Sequence, residues 1–117
     1  MKTFRQRKTL GNTDITVPAV ALGCWAFAGD QVWGPQDEAE SIATVQAALD
    51  ADVDFFDTAE AYGDGESEAV LGRALVGHRH EAVIASKVSR SHLSGEEVQR
   101  ACERSLRLLQ TDYIDLY

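Results

Sequence analysis

Val53-Asp54-Phe55-Phe56-Asp57-Thr58-Ala59-Glu60-Ala61-Tyr62-Gly63 reads as a short apolar strand that runs into a polar loop. The strand ends in a carboxylate, and a phenol follows five residues later. Thirty positions beyond Asp57, a second apolar strand, Ala82-Val83-Ile84-Ala85-Ser86-Lys87, ends in a lysine. Side chains alternate along a strand, so Val53, Phe55 and Asp57 share one face, as do Val83, Ala85 and Lys87. If the strands are parallel neighbours joined by the helix between them, their ends lie about 5 Å apart and Asp57 can pair with Lys87. Tyr62 then sits in the loop above the pair. An ammonium beside a phenol lowers the phenol's pKa from its reference near 10. That would make Tyr62 a proton donor, with Asp57 holding the lysine charged and in place. The residues alone also admit a buried structural ion pair with an ordinary loop aromatic beside it, because such pairs shift pKa values too.

Working outward, Ala19-Val20-Ala21-Leu22-Gly23 is a first short strand, continuously apolar as a doubly covered parallel strand should be. It opens into the loop 24–35, which carries Trp25 and Trp33. The aromatics of this loop either line a ligand site or cover the strand end, and their positions leave both readings open. Asp37 and Glu40 resemble a capping pair for a helix over 37–51 whose stripe is Ile42, Val45 and Leu49. No glycine ends that helix, so a slightly strained stop is predicted at Ala51-Asp52. Val70, Leu71, Ala74 and Leu75 mark a second helix over 66–76 that ends at Gly77. Ser94 and Glu97 form a capping box for a third helix. Its inward face is Val98, Ala101, Cys102, Ser105, Leu106 and Leu109, with Arg100, Arg104 and Arg107 outward. Ile114 to Tyr117 begins a fourth strand.

Before the first strand, residues 3–17 read as a hairpin flanked by Phe4 and Leu10, with turn chemistry at Gly11-Asn12-Thr13-Asp14. Arg5, Arg7 and Lys8 read as a solvated strand face. The order is a hairpin, then βαβαβαβ with right-handed crossovers. No Gly-x-Gly-x-x-Gly follows the first strand, so an open dinucleotide-binding sheet has no support. His78 and His80 fall at the opposite end of the sheet from Asp57, exposed and with no metal role.

The 117 residues carry a formal net charge of −8, with 44% apolar and 26% charged residues. That is the composition of one ordinary globular domain or part of one. The acidic balance argues against a phosphate-backbone partner, so no nucleic acid is expected. Two cysteines without metal-ligand spacing read as reduced thiols. No apolar run approaches the ~20 residues of a membrane span, and the charged start lacks the apolar region of a secretory signal. No membrane association and a cytoplasmic location are expected.

Phe55-Phe56-Asp57-Thr58-Ala59-Glu60-Ala61-Tyr62-Gly63, then Ser67-Glu68-Ala69-Val70-Leu71-Gly72 and the strand-terminal Lys87, resemble the aldo-keto reductase signature. Ala21-Leu22-Gly23-Cys24-Trp25 and Asp112-Tyr113-Ile114-Asp115-Leu116-Tyr117 extend the resemblance over nearly the whole chain. It implies a (β/α)8 TIM barrel, an α/β fold that reduces aldehyde and ketone carbonyls with NADPH. In that mechanism Tyr62 is the general acid, Lys87 tunes it and Asp57 anchors the lysine. Gly23, Cys24, Trp25 and Gln31 fall, with Asp57, at cofactor-binding positions. The expected partner is a small carbonyl substrate.

A complete barrel takes about 250 residues, roughly twice this length. Residues 1–117 are therefore expected to be the N-terminal hairpin plus about four βα units, a half barrel. The family's fourth catalytic member, a histidine three residues past Asp-Leu-Tyr, and its phosphate-binding loops lie outside that span. His92 is the one loop histidine on the side of the site. The alternative is a non-catalytic module or nucleotide-sensing subunit that self-associates, or meets a complementing C-terminal half, through open sheet edges.

Overall fold

The computed structural model describes residues 6–117, so Phe4 and Arg5 of the expected hairpin lie outside the described residues. Strands β1 (Arg7–Thr9) and β2 (Thr16–Pro18) pair antiparallel, with Lys8 opposite Val17. The turn between them closes through Leu10 and Ile15, with Gly11 at a φ of 51°. All three residues of β1 are exposed, in keeping with a solvated basic face, and Arg7 is in addition tied down. Its guanidinium takes both carboxylate oxygens of Asp54, at 2.9 and 3.1 Å, and also the Thr16 carbonyl oxygen at 2.8 Å. Nη1 alone donates to both carboxylate oxygens while Nη2 holds Thr16, so the guanidinium fastens the hairpin to the segment that leads into β4.

Three parallel strands follow in the order β3 (Leu22–Gly23), β4 (Phe55–Asp57) and β5 (Val83–Ala85). The register places Gly23 opposite Asp57 and Asp57 opposite Ala85. Helices α1 (Glu38–Asp50) and α2 (Glu66–Ala74) connect them, and α3 (Gly95–Leu109) follows β5. The strands are shorter than the apolar runs that announce them. The expected fourth strand is reduced to a bridge, in which Leu116 pairs parallel with Ala85 and the Ser86 N–H donates to the Leu116 carbonyl oxygen at 3.0 Å.

The starts of α1 and α3 follow their sequence signals, whereas α2 begins after Gly65 at a φ of 91° with no side-chain cap. Asp37 caps α1 by accepting from the N–H groups of Ala39 and Glu40. Ser94 and Glu97 complete a reciprocal capping box on α3. The predicted strained stop after α1 falls on Asp52, whose φ is 63°, a conformation an aspartate tolerates better than most residues.

Strand alternation divides the sheet into two faces. Phe56 and Ile84 are fully buried against the helices with Val45, Leu71 and Leu109, while Phe55 and Val83 on the opposite face are half-buried. Glu68 is the exception in the packed layer: it has no solvent exposure. One of its oxygens accepts from Ser86 Oγ at 2.5 Å, and Oε2 has no partner among the described residues.

Burial pushes the Glu68 pKa up, and the Ser86 hydroxyl moderates the shift. A folded-state pKa above the unfolded value of about 4.3 favours folding in acid, a contribution lost as pH rises through the folded value. Glu68→Gln, which has no proton to lose, should therefore lose less stability than the wild type between acid and neutral pH. Urea midpoints across that range test this, and parallel slopes for the two proteins would refute it.

Candidate active site

Asp57 closes β4, and Lys87 stands two residues past β5 on the same face. The strand ladder continues beyond both. The Thr58 N–H donates to the Ala85 carbonyl oxygen at 2.9 Å and the Glu60 N–H to that of Lys87 at 3.0 Å, which fixes one strand end against the other. Lys87 Nζ donates to Asp57 Oδ1 at 2.5 Å and to the Thr58 carbonyl oxygen at 2.8 Å. It stands 3.5 Å from the Tyr62 hydroxyl and 5.0 Å from the Tyr62 ring centre. Burial works against the Lys87 charge. The hydrogen bond and attraction of Asp57 outweigh it, with Tyr62 adding to them, and hold the Lys87 pKa above its ordinary value. The ammonium beside the phenol is thus kept charged.

The Tyr62 loop is anchored from below. Ser67 Oγ donates to the Cys24 carbonyl oxygen at 2.6 Å and shares a 2.9 Å hydrogen bond with the Thr58 hydroxyl. All three residues have no solvent exposure, so the ends of β3, β4 and α2 meet at one dry point. From above, Trp25 stacks on Tyr62 at 5.8 Å between ring centres.

Gly23, Cys24, Trp25, Asp57 and Tyr62 line one cavity of about 240 Å³ with Ala26 and Trp33. Cys24 belongs to its wall and not to its chemistry. Burial, aided by the Asp57 charge, pushes the thiol up to about 12, so no thiolate forms near neutrality. Gln31 is exposed on the turn and is not among the residues lining this cavity.

His92 does not approach Tyr62 in place of a catalytic histidine. Its Nδ1 lies 2.9 Å from Glu60 Oε1, and Glu60 Oε2 accepts the Ser89 N–H at 2.7 Å. Glu60 is buried at 4% exposure and ties the loop after Lys87 to the loop before Tyr62. Sequence reasoning missed that tie. Its signal was a lone carboxylate between two alanines, where burial without a partner would be costly. At the other end of the sheet His78 pairs with Glu81, Nδ1 to Oε2 at 2.8 Å. No group of three or more metal-ligating side chains is found among the described residues, and none of their helices is long and apolar enough to cross a membrane.

The parallel βα repeat thus gathers a lysine, a carboxylate and a phenol at the C-terminal ends of its strands. Residues 19–117 match the model of the aldo/keto reductase family, and the chain belongs to that family. It is 39% identical to aldo-keto reductase YhdN of Bacillus subtilis, covering 93% of this chain and 36% of that protein. It is 40% identical to methylglyoxal reductase YeaE of Escherichia coli, covering 97% of this chain and 39% of that one. The chain thus spans less than half the length of these relatives. Among solved structures, an aldo-keto reductase from Klebsiella pneumoniae in complex with NADPH superposes with a TM-score of 0.77 at 40% identity, over 86% of this chain and 34% of that one. The solved relatives are (β/α)8 barrels, and the present fold is part of that architecture.

Proposed function

We propose that this chain is the N-terminal part of an NADPH-dependent carbonyl reductase, in which Tyr62 protonates the oxygen of the carbonyl being reduced. The observation that carries the reading is Lys87 Nζ held between Asp57 Oδ1 at 2.5 Å and the Tyr62 hydroxyl at 3.5 Å. NADPH, when bound, supplies the hydride. The aromatic, half-open mouth at Trp25 and Tyr62 suits the flat nicotinamide end. Lys87, the cation at this mouth, is engaged by Asp57.

Within this reading the residues divide the work. Tyr62 donates a hydrogen bond to the substrate oxygen and then its proton, which stabilises the alkoxide as it forms. Lys87 keeps a positive charge 3.5 Å from the Tyr62 hydroxyl, beside the oxygens among which the proton moves. Asp57 and the Thr58 carbonyl oxygen hold the ammonium in reach. Gly23, Cys24 and Trp25 form the wall on which the nicotinamide end rests, and the exposed Gln31 would have to swing inward to join them.

The test is carbonyl-dependent oxidation of NADPH by a complete barrel that contains this segment, with small aldehydes as substrates. Failure to consume NADPH with any aldehyde would refute the reading. Asp57→Asn should fold and bind NADPH but turn over about 10-fold or more slowly, since it removes the charge that anchors Lys87 while keeping a hydrogen-bond acceptor. Unchanged turnover in that variant would leave Asp57 with a purely structural part.

A further inference from the structure

Glu60 lies between Asp57 and Tyr62 in the chain and is bonded on either side of Val88. Its N–H donates to the Lys87 carbonyl oxygen at 3.0 Å, and its Oε2 accepts the Ser89 N–H at 2.7 Å. Its Oε1 lies 2.9 Å from His92 Nδ1, and the His92 N–H donates to the Ser89 carbonyl oxygen at 3.0 Å, so residues 89–92 form one turn seated on this carboxylate. The backbone ladder between the two strand ends runs as far as Glu60. One step further a side-chain oxygen takes over from the backbone carbonyls. The Glu60 side chain is only 5% exposed, a depth at which a carboxylate is retained only with its oxygens matched. Its charge makes the bond to a backbone N–H about twice as strong as a neutral acceptor would. Glu60 does not line the cavity at the mouth. It borders a separate cavity of about 280 Å³ with His92, Glu97, Arg100 and Arg104.

We propose that Glu60 is a positioning residue for Lys87: by gripping the backbone before and after Val88 it sets where the Lys87 ammonium stands between Asp57 and the Tyr62 hydroxyl. The proposal rests on the reductase reading of Tyr62. The Lys87 side chain is 49% exposed, so packing does little to place a flexible four-carbon stem. Two things remain to place it: the acceptors at its tip, Asp57 and the Thr58 carbonyl oxygen, and the backbone at its root. The acceptors keep the ammonium in reach only while the root stays put. Residues 57–62 supply the acceptors, the grip on the root and the phenol together, so a slip of the lysine segment against them changes the 3.5 Å separation from the Tyr62 hydroxyl directly. That separation is at the edge of hydrogen-bond reach, where a displacement of about 1 Å can cost about 10²-fold in rate. Glu60 itself touches no reacting group.

The experiment uses a complete barrel that contains this segment and two variants that separate reach from charge. Glu60→Asp keeps the charge but is one methylene too short to hold both Ser89 and His92. Glu60→Gln loses the charge but keeps an oxygen for the Ser89 N–H, and its amide can donate to a neutral His92 ring. Lys87 is followed by the carbon-13 signal of its Cε, assigned as the one missing from Lys87→Met, and is titrated without cofactor or substrate. In the wild type Asp57 outweighs burial and holds the Lys87 pKa above its ordinary value. Glu60→Asp should bring that midpoint down towards the ordinary lysine value and lower kcat for aldehyde reduction about 10-fold or more, with KM and NADPH affinity unchanged. Glu60→Gln should stay close to the wild type in both. An impaired Gln variant would show that Glu60 acts through its charge and would overturn the proposal. An Asp variant that loses only melting temperature, with the Lys87 titration and kcat unmoved, would overturn it too. The titration involves no hydride transfer. A Lys87 shift in the Asp variant of a barrel whose wild type reduces no carbonyl would sink the reductase reading and leave the hold on Lys87 standing.

Discussion

Replacing Tyr62 by phenylalanine in a complete barrel that carries this segment is expected to lower kcat for aldehyde reduction by about 10²- to 10⁴-fold, the usual contribution of a positioned general acid. NADPH binding should be unchanged. The ring stays, so the stack with Trp25 at 5.8 Å survives, and Lys87 keeps its two shorter bonds to Asp57 and the Thr58 carbonyl oxygen. Only the hydroxyl 3.5 Å from the ammonium is lost. Steady-state rates and a fluorescence titration with NADPH separate the two effects. Wild-type kcat in the variant would remove Tyr62 from the chemistry.

The largest expected effect on stability comes from a single methyl group at Gly72. A Cβ there would fall 2.5 Å from the Leu108 carbonyl oxygen and 2.8 Å from the Leu109 Cα. These are backbone atoms of α3, so relief requires α2 and α3 to separate. Leu71 and Leu109 sit in the core on either side of that crossing. Gly72→Ala should therefore cost about 3 kcal/mol or more, at or beyond the upper end of ordinary overpacking. Gly77→Ala is the control. Its Cβ meets nothing within 4 Å but its φ is +81°, so only backbone strain of about 1–2 kcal/mol is incurred. Urea midpoints compare the two, and equal midpoints would show that the helices yield easily at Gly72.

The residues that were legible in the sequence are those whose job is local or periodic. Asp37 and the Ser94–Glu97 pair announce helix starts because a cap acts within three residues of itself. Asp57 and Lys87 were legible as neighbours because strand period and a short helical connection together fix which ends meet. The ties that run across the fold were not. Glu60 finds Ser89 and His92 only once β4 and β5 are paired, and Arg7 finds Asp54 only once the hairpin folds under the sheet. Asp30 accepts from the turn through one oxygen and reaches back to Trp25 with the other, a tie no local pattern announces. Gln31, its neighbour, drew attention through family resemblance alone and is exposed on the turn. The tail Ile114 to Tyr117 carries strand-like residues, yet only Leu116 enters the ladder as a bridge.

Phe56 and Asp57 are adjacent in sequence, and the pleat sends one into the packed layer and the other to the mouth. Packing and the lining of the mouth are therefore set separately, residue by residue, along the same three-residue strand. On the proposed roles of Asp57, Tyr62 and Lys87, what stands at 57, 62 or 87 can be exchanged without disturbing Phe56, Ile84 or Leu71. The same geometry offers a laboratory route to new activities, by randomising the outward strand-end positions and leaving the inward ones untouched.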